Sequence, residues 1–143
     1  MQINSLINNI KETYQSTEIF STIEDLADCP KDPESAEECS VFINKGWQDI
    51  TLNDWSFHHY AISFFTLKAR RLFFPSVMLY TINNPTESYL AFTSYMYHIR
   101  ECHSRSDLNL IIGNSDAKFA CFSNWVFYIN GNLPVDFKIS LAD

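Results

Sequence analysis

From Trp55 to Ile82 the chain reads WSFHHYAISFFTLKARRLFFPSVMLYTI, and no other window of that length holds as many bulky apolar side chains. Side chains of this kind belong inside, so the rest of the fold must be built around the stretch. In its first half Phe57, Tyr60, Ala61, Phe64 and Phe65 fall at i, i+3, i+4, i+7 and i+8, the spacing of one apolar helical stripe. Asp54 is placed to cap that helix by accepting from the free N–H groups of its first turn. Thr66 then caps a second helix, with Lys68, Arg70 and Arg71 early in it and Leu67, Leu72, Phe73, Val77, Met78 and Ile82 on its buried side. Pro75 has no N–H to offer the carbonyl of Arg71, so a kink or a restart is expected near Phe74. The resulting expectation is a central, proline-kinked helical hairpin.

Only three glycines occur in 143 residues. Sandwiches and barrels need many tight turns, so this scarcity points to helices with short connections. With 46% hydrophobic and 15% aromatic content, the chain is expected to form one all-α domain over residues 1–143, a compact bundle of about five to six helices.

Around the hairpin, Ile3, Leu6, Ile7, Ile10 and Tyr14 share a face, predicting a helix over residues 3–15 capped by Asn4 or Ser5. Ile19, Phe20, Ile23 and Leu26 form a short apolar anchor before an acidic, turn-rich segment near residues 24–38, read first as a solvated loop. Within it, Asp32 as cap and Pro33 at the first position also open a helix running to Lys45 and closing at Gly46. Asn84-Pro85-Thr86-Glu87 starts a helix reaching about Cys102, with Leu90, Thr93, Met96 and Tyr97 inward and Tyr89, Phe92 and Tyr95 widening the apolar arc, so the helix should be substantially covered. Residues 103–118 read as a loop around an apolar knot from Leu108 to Ile112. Ser123 caps a last helix through Trp125, Val126, Tyr128 and Ile129, ending at Asn130-Gly131. The tail near residues 132–143 is expected to pack loosely through Leu133 and Phe137.

Charge is unevenly spread. The net value of −7 arises from −8 over residues 1–54 and +1 over residues 55–143. A negative field disfavours nucleic acid and anionic membrane and favours a basic protein partner. The opening MQINSLINNIKETY has no basic region followed by an apolar core, and no apolar run is membrane-length, so a cytoplasmic address is expected. Cys29, Cys39, Cys102 and Cys121 form no CxxC pair, which fits reduced thiols.

Motifs for chemistry are sparse. GxSxG, HExxH and phosphate-binding glycine loops are all missing from the sequence. His98 and Cys102 at i and i+4, with His103 beside them, are a two-ligand pair and the basis of an alternative reading as a metal-dependent or thiol enzyme. His58 and His59 are adjacent and diverge on a helix. Cys121, just before the expected last helix, would gain thiolate character there. The pattern calls for no metal, no cofactor and no catalytic residue. Lys68, Arg70 and Arg71 form a small basic spot facing the acidic segment, a partner or a phosphate.

The opening amphipathic helix, the DPESAEE segment, the Gly46–Ile50 junction, AISFFTLKARRLFFPSVMLYTI and FACFSNWVFYI together resemble a family of small bacterial proteins known only as a domain of unknown function, number 6714 in that series. The similarity spans roughly residues 3–130 and is most specific from Ala61 to Tyr80, with departures at Arg70-Arg71-Leu72 and Phe74. It implies a helical fold and a bacterial source, and it assigns no activity.

The expected function is a non-catalytic inhibitor, a bacterial immunity protein that plugs the basic cleft of a cognate toxin with an acidic surface. The expected contact residues are Asp25, Asp28, Asp32, Glu34, Glu37, Glu38, Asp49 and Asp54, with Trp47 and Trp55 as aromatic anchors. A structural subunit of a larger assembly is the third option.

Overall fold

The structure, a computed structural model, describes residues 2–133. Those residues form helices and no sheet; their one extended contact is an antiparallel bridge between Ala27 and Phe65.

Helix α1, Ile3–Thr13, buries Leu6 and Ile10 and leaves Ile3 exposed; neither Asn4 nor Ser5 caps it. The apolar anchor that follows becomes Phe20 and the short α2, Ile23–Leu26, where Phe20 and Leu26 are buried and Ile19 is not. Helix α3, Pro33–Ser40, begins as the sequence suggests. The Asp32 carboxylate accepts from Glu34 N at 2.9 Å and Ser35 N at 3.3 Å, and Pro33 takes the first position. It stops short of Lys45, because Asn44 turns left-handed at φ 61° and gives its N–H to Phe20 O at 2.8 Å. Gly46 therefore does not close α3; it opens a short 3-10 turn, Trp47–Asp49.

The first arm of the expected hairpin is two short helices, α4 (Leu52–His58) and α5 (Ala61–Phe64). Thr51 caps α4, and Asp54 supplies the other half of a capping box by accepting from Thr51 N at 2.9 Å. The break at His59 and Tyr60 resets the helical phase, so the expected stripe survives only in Ala61, Phe64 and Phe65. Trp55, Ala61, Ile62 and Phe65 are buried, whereas Phe57 and Tyr60 are 72% and 59% exposed.

Helix α6, Leu67–Asn83, is capped by Thr66, whose hydroxyl accepts from Ala69 N at 3.1 Å. It runs through Pro75 with no restart. Twelve of its seventeen residues are buried, as befits a helix covered on all sides. Leu67, expected inside, is exposed. Residues 85–88 form turns, so helix α7 starts only at Tyr89 and ends at Arg100. Its inward face is Ala91, Phe92, Tyr95, Met96 and Ile99; Leu90 and Tyr97 point to solvent, leaving Met96 as the one fully buried member of the expected inward set.

The segment read as a loop contains helix α8, Arg105–Ile112, capped by Ser104 and burying Leu108, Ile111 and Ile112. Gly113, at φ +98°, separates it from α9, Asp116–Asn132. Ser115, not Ser123, caps α9, and the helix continues past Gly131. Leu133 packs half-buried on the core, and Phe137 lies outside the described residues.

Helix α6 is the hub, lying against α1, α7, α8 and the 3-10 turn. Its adjacent Phe73 and Phe74 feed two aromatic clusters. Phe73 meets Phe20, Phe42 and Phe65, while Phe74 meets Tyr95, Phe122 and Trp125. The buried indoles all find acceptors: Trp47 on Tyr14 O, Trp55 on Ser76 Oγ and Trp125 on Thr81 Oγ1, each at 2.9 Å.

Candidate protein-binding surface

Seven carboxylates and Lys31 fall between Glu24 and Glu38, and the fold fixes the backbone that carries them. Asp28 N donates to Phe64 O at 2.9 Å and Thr66 N to Leu26 O at 2.8 Å, stitching the segment to the junction of α5 and α6. The Thr66 hydroxyl adds a bond to Asp25 O at 3.0 Å. Below, Leu26, Ala27, Cys39 and Phe42 are buried in the core. The segment is thus a pair of short helices pinned at both ends, where the first expectation was a solvated loop.

The carboxylates divide by what they touch. Glu24, Asp25, Asp28, Asp32, Glu34 and Glu37 are exposed, and none forms an ion pair among the described residues, although Asp28 lies near enough to Arg70 to act on its guanidinium. Asp25 accepts from the Thr22 hydroxyl at 2.9 Å, and Asp32 is occupied in part as the α3 cap. Glu38 is drawn aside by His58 Nδ1 at 3.2 Å, a contact that ties α3 to α4. Asp49 and Asp54, also expected at the interface, are engaged in the fold. Asp49 accepts from Gly46 N at 3.1 Å. Asp54 meets Lys45 Nζ at 3.0 Å; burial alone would raise its carboxyl, but the Thr51 N–H and Lys45 together hold it below the ordinary range.

The aromatic anchors need correcting. Trp47 and Trp55 are 1% and 2% exposed, with their indole nitrogens bonded inside, so neither can enter an interface. Phe57 and Tyr60 are the aromatics exposed instead. They flank the His58 that reaches Glu38, and both stand in solvent. Apolar periodicity pointed them inward; the only sequence sign of the reversal is the polar His58-His59 pair interrupting the stripe.

Of the basic spot, only Arg71 is left half-buried without a partner among the described residues. Lys68 pairs with Glu18 at 2.8 Å. Arg70 is buried, and its guanidinium donates to Ile62 O at 3.3 Å and Phe65 O at 3.2 Å, the carbonyls left open where α5 ends. Burial pushes that guanidinium below its ordinary value.

His98, Cys102 and His103 do not converge on one centre. The Cys102 thiol donates to His98 O at 3.5 Å, while His103 is exposed with its backbone N–H on Asp107. Burial raises the Cys102 thiol, and desolvation with the nearby Arg70 lowers His98 to about 4, so the pair stands as thiol and neutral imidazole at neutral pH. Cys121 lies inside α9, with burial raising its thiol against a hydrogen bond from Thr13. No group of three His, Cys, Asp or Glu side chains able to hold a metal ion occurs among the described residues. A cleft of about 290 Å³ between the 3-10 turn, α4 and α6 is lined by Lys11, hydroxyls, amides and apolar groups. No helix of the described residues is long and apolar enough to cross a membrane.

Compared with protein-family models, with curated proteins and with solved structures, the chain matches none.

Proposed function

We propose that the protein is a non-catalytic inhibitor that seats its acidic α2–α3 face on a basic cleft of a protein partner, as a bacterial immunity protein does to a cognate toxin. The supporting observation is a run of carboxylates, Glu24 to Glu37, carried on a backbone bonded to the core and unpaired with cations of the described residues. Charges left unneutralised on a rigid frame steer a basic partner and lose little freedom on docking. Phe57 and Tyr60 provide apolar area beside them. The same negative field argues against nucleic acid or anionic membrane as the target. The assignment to a cytoplasmic, bacterial setting belongs to this proposal.

Co-expression with the product of the adjacent gene tests it. A complex is expected whose association rate falls with added salt. Glu34→Lys with Glu37→Lys should slow association by about tenfold or more at low ionic strength, and Phe57→Ala should speed dissociation. A neighbouring protein that neither binds nor loses toxicity would remove the reading.

A further inference from the structure

The chain is strongly acidic, yet three of the nine cationic side chains among the described residues, Lys68, Arg71 and Lys118, line one cleft of about 100 Å³. Lys68 and Arg71 stand at i and i+3 on α6, and Lys118 comes from the first turn of α9. Tyr14, Leu72 and Ile112 form apolar walls. One carboxylate, Glu18, shares the space, and it is taken by Lys68 at 2.8 Å. Lys118 Nζ lies 5.6 Å from the Tyr14 ring centroid, a contact that holds the ammonium there without neutralising it. Arg71 is half-buried and meets no acceptor among the described residues. Crowding cations at one small site costs stability unless an anion joins them, and apolar walls strengthen the pairing when it does.

We propose that this cleft binds a small oxyanion, a phosphate or a carboxylate group, held by the planar fork of Arg71 with Lys118 closing over it. A guanidinium matches either group through two parallel N–H···O bonds. The cleft, at about 100 Å³, has room for one such group. The site is independent of the acidic face.

The test titrates the whole protein with inorganic phosphate and, separately, with acetate, against chloride at matched ionic strength. The Trp47 indole N–H, at the wall of the cleft, is the reporter in ¹H–¹⁵N spectra, with the thermal midpoint as a second readout. A saturable shift with either anion and none with chloride is expected, and the anion that gives it names the source. Arg71→Gln should weaken binding by about tenfold or more and Arg71→Lys by less, with the anion-free midpoint of Arg71→Gln unchanged or slightly raised as repulsion is relieved. Lys118→Gln should weaken it as well, which keeps the test open were Arg71→Gln to misfold. A linear response, no response to either anion, or an equal response in the Arg71→Gln and Lys118→Gln proteins would overturn the site.

Discussion

Helix α6 buries twelve of its seventeen residues, whereas α3 buries only Ser35 and Cys39 of its eight. Packing holds α6 so firmly that an interior proline does not interrupt it. Local chemistry holds α3: an aspartate cap, a proline at the first position, and a preceding α2 whose main chain is bonded to the α5–α6 junction. The contrast separates a part that exists to be covered from a part free to be used. It also ranks what mutation should do, because a cavity in the hub has no relief, while a changed side chain on the rim is met by water.

The largest effect should come from Phe74→Ala. The ring is fully buried against Tyr95, Phe122 and Trp125, so removing it leaves a void that three large neighbours cannot fill. A loss of about 3–5 kcal/mol in denaturant unfolding is expected. A loss under about 1 kcal/mol would mean that α6 is not the hub described.

Thr81→Val asks whether the hub depends on polar bonds as well as volume. The Thr81 hydroxyl donates to Met78 O at 2.7 Å and accepts from Trp125 Nε1 at 2.9 Å. Valine keeps the shape and strands a buried indole N–H, at about 1–3 kcal/mol. Adding Trp125→Phe should then cost less than the two single changes summed, since the stranded donor is gone.

Much of the rim was legible in the sequence, and much of the hub's surroundings was not. The caps Asp32 and Thr66 are read correctly because a cap is settled within about four residues of chain. Arg70 gave no sign of burial; its partners, Ile62 O and Phe65 O, exist only because α5 ends beneath α6. Helix α8 was missed because a five-residue apolar knot fits strand and helix alike, and α8 is short. Trp47 and Trp55 exchange places with Phe57 and Tyr60 for a tertiary reason. The break between α4 and α5 follows from how the two pieces pack, and only the polar His58-His59 pair marks it in the sequence.

His98 extends the comparison to pH. Its folded value of about 4 lies below the ordinary 6.5, chiefly through desolvation and then Arg70, with Glu101 opposing. The unfolded chain therefore takes up the proton first, and stability present above the unfolded value is lost as pH falls from about 6.5 towards about 4. His98 is half-buried, and with solvent screening allowed for, the expected loss between about pH 7 and about pH 5 is roughly 1 kcal/mol. Denaturant midpoints at the two values measure it, and His98→Gln should flatten that part of the difference.

The smallest effect on stability should accompany the largest effect on binding. Glu34 and Glu37 are exposed on α3 and touch no cation, so changing both to glutamine leaves no buried group unpaired. The unfolding free energy should stay within about 0.5 kcal/mol, and could rise as like-charge repulsion with Asp28, Asp32 and Glu38 is relieved. If the same double change also leaves partner association and its salt dependence unaltered, the acidic face is only a solvating surface. If association slows while the fold is unmoved, the two regions have separate tasks: α6 and its aromatic neighbours maintain the frame, and α2–α3 spends that rigidity on holding unpaired charge in place.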